Sequence, residues 1–465
     1  MNDYLLNAAY LVAAVLFILG LMALNSPRTA RRGIFLAEIG MLLAVVGTLL
    51  RNEIVSFEWI IVGFIIGSLI GGAMAIFMPM TAMPQRIALS HSFGALAAAL
   101  VGIVKYNEHL PHVDNALMVV IGFEVLLGSL TVTGSLMAFG KLQELIKGAP
   151  IVYPFQNISN IILFFGTVSL FIILIFFPGL TVLFYVLIGA ALLVGILMVL
   201  PIGGADMPVV LALLNSYSGL AAAATGFAID NKMLIIAGSL DGASGFFLSM
   251  MMSKAMNRSF ANVLFGAVGS APSGQAATGQ EEAKTVTRYT PEDVSYMLEN
   301  ARSVIIIPGY GMAVAQAQHV VQELSASLIA RGILVRFAIH PVAGRMPGHM
   351  NVLLAEANVP YDLLCEPEQI NDDFPNTDVV IVVGANDVVN PAARYKKDSP
   401  LYGMPIFDAD KAHTIVVLKR SLNPGFAGED NELFYDKKTM MVFGDAKKTL
   451  TSLVQLLKER AAVAV

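Results

Sequence analysis

Nine apolar segments, each long enough to cross a lipid bilayer, fill the first half of the chain. A bilayer core about 30 Å thick requires roughly 17–25 apolar residues per helix. Only 14% of the 465 residues are charged and the mean hydropathy is +0.70, whereas soluble domains carry about a quarter charged residues. The sequence therefore predicts an α-helical polytopic membrane bundle with spans at 4–24, 33–50, 58–79, 85–104, 116–137, 160–177, 180–200, 208–228 and 233–253.

Basic residues are divided unequally between alternate loops. Loops after odd-numbered spans carry eight, namely Arg28, Arg31, Arg32, Arg86, Lys141, Lys147, Lys254 and Arg258. Loops after even-numbered spans carry three, Arg51, Lys105 and Lys232. Because basic loops stay in the cytoplasm, we expect the N-terminus outside and, with nine spans, the C-terminal domain in the cytoplasm. The first span lacks a basic n-region and is too long for a signal peptide, so we expect it to be retained.

Ionisable and polar residues interrupt several predicted spans. A charge at the bilayer centre costs at least ~2.5–3.5 kcal/mol, so such residues are candidates for function. Free imidazole titrates near physiological pH, so His91 is a candidate proton carrier, or else a histidine hydrogen-bonded between helices. Glu124 either shares a polar cavity with His91 or reaches toward the interface. Asn215 either holds a water chain or packs helices. Together these residues suggest a polar track for ions or protons.

Two further carboxylates have ambiguous roles. Asp206 follows a Gly-Gly-Ala sequence and precedes Met207-Pro208 at the mouth of the eighth span; it is either a helix cap or a proton exit. Asp241 lies within the ninth span beside Gly242 and Gly245, which suggests a close helix crossing or a hinge.

The second half reads as a soluble α/β domain. We predict a transmembrane domain over 1–260, a flexible linker over 261–288 and a nucleotide-binding domain over 289–465. Thr290 is predicted as the N-cap of a helix with Pro291 at its first position. Apolar strands are predicted at 303–307, 333–339, 378–383, 413–418 and 439–443, alternating with helices. This alternation predicts a doubly wound, parallel, Rossmann-like sheet.

A glycine pair follows the first predicted strand. Gly309 and Gly311 stand between that strand and a helix predicted to continue to about Ala330. This arrangement is typical of dinucleotide sites, where the backbone must approach a pyrophosphate closely. Val314 stands where a third glycine or alanine is usual, and an ordinary tight turn is the alternative.

Two cations and a hydroxyl follow the strand at 413–418, at Lys419, Arg420 and Ser421. Ligands bind at the carboxyl ends of strands in doubly wound sheets, and these groups suit a 2′-phosphate through charge-assisted hydrogen bonds. No acidic residue follows the second strand to hold a free ribose hydroxyl, as an NAD site requires. A solvated charge pair is the alternative interpretation.

Charge and cysteine content exclude other classes. A net charge of −5 gives no basis for nucleic-acid binding. The single cysteine, Cys365, excludes an intrachain disulfide framework and any cysteine-based zinc or iron–sulfur site, and we predict no metal site.

Several long motifs resemble one family. Pro308 to Gln318, His340 to Arg345, Pro347 to Ala357 and Gly384 to Asp387 are similar to the NADP(H)-binding domain of proton-translocating transhydrogenases. Ile202 to Val210, Leu214 to Gly219 and Lys254 to Arg258 are similar to the membrane part of that family's beta subunit. The resemblance covers nearly the whole chain.

The resemblance implies a division of labour. NADP(H) would bind here, while NAD(H) would bind an alpha subunit, of one chain or two, that adds its own membrane helices. Hydride would pass between the nicotinamides, coupled to proton translocation, and activity would require the alpha subunit. A dimer of alpha–beta units in the bacterial inner membrane is expected.

The same resemblance implies roles for individual residues. His91 and Asn215 would lie on the proton path, with Glu124 as a further candidate, and Asp206 near its coupling to the nucleotide domain. Arg345 would lie near the phosphates and Asp387 near the nicotinamide, where it is a candidate for protonation coupling. Gly309, Tyr310, Gly311 and Val314 would line the nucleotide, and Lys419, Arg420 and Ser421 would bind its 2′-phosphate. The remaining predicted nucleotide ligands are Ala315, Gly384, Asn386, Gly425, Gly444 and Asp445.

The chain departs from the family pattern at two positions. Phe426 stands where tyrosine is frequent, and Asp241 stands where a neutral residue is expected, so no family role is assigned to it. Two other functions are considered: a channel or antiporter with a nucleotide-sensing domain, and a membrane-tethered NADP-binding scaffold. The chain shows no potassium-channel filter motif, and the polar residues inside the spans argue against an inert anchor.

Overall fold

The computed structural model describes residues 3–24, 26–50, 56–147, 151–203, 206–256, 286–399, 401–425 and 427–463. The chain divides into two compact units. Residues 1–203 with 210–249 form the helical unit, and residues 204–209 with 250–465 form the second unit. Most of the predicted linker, residues 261–285, lies outside the described residues, as do Arg51, Arg258 and Phe426.

The described residues contain nine helices long and apolar enough to cross a membrane, which confirms the predicted spans. The helices are α1 (Asp3–Ala23), α2 (Pro27–Leu49), α3 (Glu58–Phe77), α4 (Met83–Glu108), α5 (Asn115–Leu142), α6 (Gln156–Phe176), α7 (Thr181–Val199), α8 (Met207–Ala228) and α9 (Lys232–Ala255).

Small residues set the closest helix crossings. A β-carbon on Gly219 of α8 would overlap the backbone nitrogen of Gly242 on α9, and one on Gly245 would lie 2.7 Å from the Ser216 nitrogen. Ser216 Oγ donates to the Gly242 carbonyl at 2.7 Å. Close backbone approach of this kind packs membrane helices, so α8 and α9 pack closely at Gly219, Gly242 and Gly245.

Larger side chains join α4, α5 and α7. Tyr106 on α4 stacks on Phe184 of α7 with ring centroids 3.8 Å apart, and its hydroxyl donates to the Pro178 carbonyl at 2.8 Å. At the other end of α5, the buried Lys141 ammonium donates to the Ile202 carbonyl at 2.8 Å and to the Leu200 carbonyl. The sequence assigns Lys141 to a loop, but it lies in the last turn of α5. Its ammonium group binds the carbonyls of the residues that follow α7.

Six parallel strands form the sheet of the second unit, in the order β3-β2-β1-β4-β5-β6. This order confirms the predicted doubly wound fold. The strands are β1 (Ser303–Pro308), β2 (Leu334–Ala338), β3 (Leu364–Cys365), β4 (Val379–Val383), β5 (Thr414–Lys419) and β6 (Thr439–Phe443). The longest helices around them span Pro291–Glu299, Gln318–Ala330, His349–Glu356 and Ala446–Val463.

The central strands are buried along nearly their whole length. Every residue of β4 is buried, as are five of the six in β1. Strands covered by helices on both faces have continuous apolar sequences, and this pattern made them predictable. The predicted cap is also confirmed, because Thr290 and Asp293 form a reciprocal capping box with Pro291 at the first helical position.

The helix after β1 is broken, whereas the sequence predicts one helix to about Ala330. The structure has a short helix, Tyr310–Val314, and a second one, Gln318–Ala330. Gln316 adopts a left-handed conformation with φ of 49°. The Ala317 nitrogen donates to the Met312 carbonyl and the Gln316 nitrogen to the Ala313 carbonyl. These two bonds form a Schellman motif, which ends a helix.

The α8–α9 crossing generates a stability prediction. Gly219→Ala should lower the thermal midpoint of the protein in detergent, because overpacking costs about 1–3 kcal/mol. The matched control is Gly63→Ala on α3, where a β-carbon meets nothing within 4 Å and alanine favours the helix. If both variants melt alike, the close α8–α9 contact contributes nothing to stability.

Candidate functional site

The carboxyl ends of β1 and β4 form a crevice at the centre of the sheet. The connection from β1 leads to β2 on one side, and the connection from β4 leads to β5 on the other. Doubly wound sheets bind ligands at this switch point. Gly309 follows β1 and Gly384 follows β4, so the structure places the predicted glycine motif at the switch point.

Three glycines contact each other through their backbones in this crevice. The Gly311 nitrogen donates to the Gly384 carbonyl and the Gly309 nitrogen to the Val383 carbonyl, both at 2.9 Å. A β-carbon on Gly311 would lie 2.7 Å from the Gly384 α-carbon, and one on Gly384 would lie 2.5 Å from that of Gly311. Gly384 also has a positive φ of 63°. The three glycines therefore form a close backbone contact, here called the cradle, in which a β-carbon on any of them would collide with its neighbours.

An aromatic and a cationic side chain border the cradle. The Arg345 guanidinium carbon lies 4.2 Å from the centre of the Tyr310 ring, within cation–π range. The backbone N–H of Arg345 donates to Nδ1 of the buried His349 at 3.0 Å. The loop after β2 thus reaches the start of the helix after β1, and the structure brings Arg345 and Tyr310 together. Val314 is exposed at the end of that short helix, and Ala315 follows it.

Two buried histidines hold the loop after β2, and sequence reasoning assigned them no role. His340 Nδ1 accepts from the Val342 nitrogen at 3.2 Å, so Nε2 donates to the Pro405 carbonyl at 2.7 Å. Burial lowers the pKa of His340, which keeps it neutral. The histidines before Pro341 and after Gly348 were visible in the motifs, but their contacts depend on the fold.

Asp387 and Lys419 lie together at the ends of β4 and β5. Asp387 Oδ2 accepts from the Ala427 nitrogen at 3.0 Å, and a β-carbon on Gly425 would overlap Asp387 Oδ1. Lys419 Nζ donates to the Asn423 carbonyl at 2.5 Å and lies 4.7 Å from the centre of the Phe434 ring. Burial lowers the pKa of Lys419, while the Asp387 and Asp430 carboxylates partly oppose this shift.

The other predicted ligands lie along the same edge. Arg420 is exposed, and Ser421 Oγ accepts from the Asn423 nitrogen at 3.4 Å. The Gly444 nitrogen donates to the Lys419 carbonyl at 3.1 Å. Asp445 accepts from the Lys448 nitrogen at 3.2 Å and so caps the last helix. The Asn386 carbonyl accepts from Asn431 Nδ2 at 3.0 Å.

A charged clasp, missed by sequence reasoning, holds the loop that follows Gly425. Lys396 Nζ lies 2.6 Å from Glu429 Oε2, and the Tyr395 hydroxyl donates to Glu432. Burial and the Glu432 carboxylate raise the pKa of Tyr395 to about 12, so it remains a donor. The residues lie more than thirty positions apart, and no local pattern connects them.

Polar side chains from three helices meet in the helical unit. His91 on α4 lies beside the Asn215 side chain on α8. Asn215 Nδ2 donates to Asp241 Oδ1 on α9 at 3.1 Å. The structure thus brings together three residues that the sequence could not order.

Glu124 occupies a second polar position. Its side chain is fully buried on α5, and Oε1 accepts from Thr225 Oγ1 of α8 at 2.6 Å. Its other oxygen, Oε2, is buried without a hydrogen-bond partner in the described part of the chain, beside Gly102 on α4. The carboxylate therefore faces the interior of the helices, which argues against a group that reaches the interface.

Buried hydroxyls on α5 continue from Glu124. Thr131 and Ser135 lie seven and eleven residues further on, which is the same helix face. Their hydroxyls are buried and have no partner among the described residues. Asn215 and Thr225 are ten residues apart on α8, about 15 Å along the axis. The hydroxyls of Thr131 and Ser135 thus follow Glu124 along one buried face of α5, where water commonly satisfies such groups.

Asp206 stands immediately before α8, and its Oδ1 is buried. This position agrees with its sequence context at the mouth of the eighth span.

Known proteins match the chain along nearly its whole length. A family profile described as "NAD(P) transhydrogenase beta subunit" matches residues 6–456. Two relatives called "NAD(P) transhydrogenase subunit beta", both from Rhodospirillum rubrum, are each 47% identical over 464 residues. The alignments cover 98% of this chain and 100% of each relative.

The glycine cradle generates a further prediction. Gly384→Ala should destabilise the protein and weaken nucleotide binding, because it combines a positive φ, at about 1–2 kcal/mol, with overpacking of about 1–3 kcal/mol. Gly332→Ala is the control, since Gly332 has a φ of 81° but open space around it. Equal losses of thermal stability in the two variants would show that the Gly311–Gly384 contact is not tight.

Proposed function

The chain belongs to the NAD(P) transhydrogenase beta subunit family, and from that premise we propose that it binds NADP(H) and conducts protons in a proton-translocating transhydrogenase. The family uses NAD(P)(H) and carries transhydrogenase activity. The proposal that the nucleotide is NADP(H) rests on one observation. The glycine cradle lies at the switch point, and Lys419 and Arg420 stand at the carboxyl end of β5.

The choice of NADP(H) rests on charge. The segment after β2 begins with His340 and Pro341 and offers no carboxylate for a ribose hydroxyl. Arg420 is exposed beside the half-buried Lys419, and these cations suit a 2′-phosphate. The cradle lies at the switch point, where doubly wound sheets bind the pyrophosphate of a dinucleotide. Arg345, stacked on Tyr310, would add a positive charge beside it.

The bound nicotinamide would supply the hydride chemistry, which requires no acid or base from the protein. The chain's own residues would bind and orient the cofactor. Gly309, Gly311 and Gly384 would receive its phosphates. Asp387, held by the Ala427 nitrogen, would fix the loop that contains Gly425. Asp387 is proposed as a coupling residue because it joins this loop to the neighbouring Lys419.

The helical unit would provide the proton path. His91 lies beside Asn215, and Glu124 with Thr225 forms a second polar position about 15 Å away along α8. The buried hydroxyls of Thr131 and Ser135 would continue a file of polar groups from Glu124 along α5. Proton transfer requires such a file of hydrogen-bonding groups, because hydrocarbon offers none. Asp206, before α8, is proposed at its cytoplasmic end.

The remaining proposals concern assembly and location. An alpha subunit would bind NAD(H) and complete the enzyme, in a dimer of alpha–beta units. Residues 1–260 would lie in the bacterial inner membrane with the N-terminus outside, and residues 289–465 would form the cytoplasmic nucleotide domain beyond the linker at 261–288.

Nucleotide titration of the full-length chain in detergent tests the NADP(H) site. Arg420→Ala should weaken NADPH binding by roughly tenfold or more, since a hydrogen bond to a charged group contributes about 1.5–3 kcal/mol, and NADH binding should not change. Equal affinity for NADPH and NADH, unaffected by the substitution, would contradict the proposal and favour a nucleotide-sensing transporter.

The pH dependence of the same titration isolates Lys419. Its lowered pKa means that Lys419 loses its charge at a lower pH than the ordinary lysine value of 10.5. NADPH affinity of the wild type should therefore fall as pH rises, beginning below 10.5, whereas Lys419→Arg should stay flat because arginine remains protonated. Parallel curves would show that Lys419 does not contact the phosphate.

Glu124→Gln tests the proton path. In proteoliposomes containing the alpha–beta complex, proton translocation should fall by about 10²-fold or more, the usual contribution of a proton-transferring group, while NADPH binding remains. Glu58→Gln is the control, because Glu58 is exposed at the start of α3. Wild-type translocation in Glu124→Gln would remove Glu124 from the path.

A further inference from the structure

The hydroxyl of Thr225 on α8 lies within hydrogen-bonding distance of two acceptors. Its Oγ1 is 2.6 Å from Glu124 Oε1 on α5 and 3.0 Å from the carbonyl oxygen of Ala221, one turn back in its own helix. A hydroxyl carries one hydrogen and two lone pairs, so a full hydrogen bond to one acceptor leaves the other without that hydrogen. Which acceptor receives it depends on whether Glu124 carries a proton.

The two protonation states of Glu124 require opposite roles of this hydroxyl. An ionised carboxylate only accepts hydrogen bonds, so Thr225 then donates its hydrogen to Oε1, and the Ala221 carbonyl keeps the backbone hydrogen bond of the helix. A carboxyl group protonated at Oε1 donates its own O–H. Thr225 then accepts that hydrogen through a lone pair and turns its own hydrogen to the Ala221 carbonyl. The same two oxygen atoms thus form a complementary pair in either state.

The backbone of α4 encloses the carboxyl group on its other side. Glu124 is fully buried, and a β-carbon on Gly102 of α4 would lie 3.3 Å from its Oε2 and 3.2 Å from its carboxyl carbon. Packed interiors resist such displacements of whole side chains. A hydroxyl, in contrast, changes its partner by rotating about one bond. The site can therefore exchange donor and acceptor roles without any movement of α4, α5 or α8.

We propose that Thr225 is a positioning residue, whose hydroxyl holds Glu124 in place in both protonation states by donating to the carboxylate and accepting from the carboxylic acid. The inference rests on the proposed function, since it matters for a proton path that includes Glu124. A buried polar group that loses its partner bears the full cost of its desolvation, and the hydroxyl prevents this loss when the proton arrives or leaves. Thr225 exchanges only its hydrogen-bond partner and does not itself carry the proton.

Proton translocation by the alpha–beta complex in proteoliposomes tests the role of the hydroxyl. Thr225→Val keeps the shape of the side chain without the hydroxyl, so translocation should fall by roughly tenfold, the scale of one hydrogen bond to a charged group. Thr225→Ser keeps the hydroxyl and loses a methyl group, so it should recover most of that loss. The matched control is Thr167→Val, because the buried Thr167 hydroxyl donates to the Leu163 carbonyl of its own helix at 2.7 Å.

Two outcomes of this comparison would overturn the proposal. Equal rates in Thr225→Val and Thr167→Val would show that the bond to Glu124 adds nothing to the bond within the helix. A rate in Thr225→Ser as low as in Thr225→Val would show that the methyl group, and hence packing, is what matters at this position.

Thermal unfolding of the full-length chain in detergent tests the neutral state separately. Glu124→Gln places a neutral amide, which can donate to the Thr225 hydroxyl, where the protonated acid would stand. In this background Thr225→Val should lower the thermal midpoint more than Thr167→Val does, and equal shifts would overturn the proposal by showing that the hydroxyl serves only the carboxylate. The proposed function fails separately, if Glu124→Gln translocates protons at the wild-type rate.

Discussion

A polar group removed from water must find a hydrogen-bond partner, and the rest of the helical unit depends on this constraint. The backbone meets it within each helix, so polar side chains are the groups that still need partners on neighbouring helices. Glu124 requires Thr225, and Asp241 requires Asn215. Lys141 requires the carbonyls beyond α7. These pairs set the depth at which α5, α7, α8 and α9 contact each other.

In the second unit the corresponding constraint is close contact between backbones. The strand order brings β1 beside β4. The segments that follow these two strands leave in opposite directions, toward β2 and β5. Gly311 and Gly384 close the resulting gap without side chains. The cations after β5 then lie two strands away from β1. Cradle and cations are thus arranged by the topology of the sheet rather than by their spacing in the sequence.

The sequence predicts what depends on local pattern and misses what depends on contacts between distant residues. The spans follow from length and hydropathy, and five strands follow from apolar runs. β3 was missed because it contains only Leu364 and Cys365. The break at Gln316 was missed because glutamine rarely adopts a positive φ. The bond between Asn215 and Asp241 joins residues on two helices, and the clasp from Lys396 to Glu429 crosses two loops; neither has a local signal.

Energies explain why Asp241 and Asn215 belong together. A carboxylate within a span costs at least ~2.5–3.5 kcal/mol, whereas a hydrogen bond to a charged group returns about 1.5–3 kcal/mol. The bond from Asn215 thus offsets most of the cost, and little remains to be supplied by other contacts of the exposed side chain. One hydrogen bond between α8 and α9 therefore makes the carboxylate tolerable in the span.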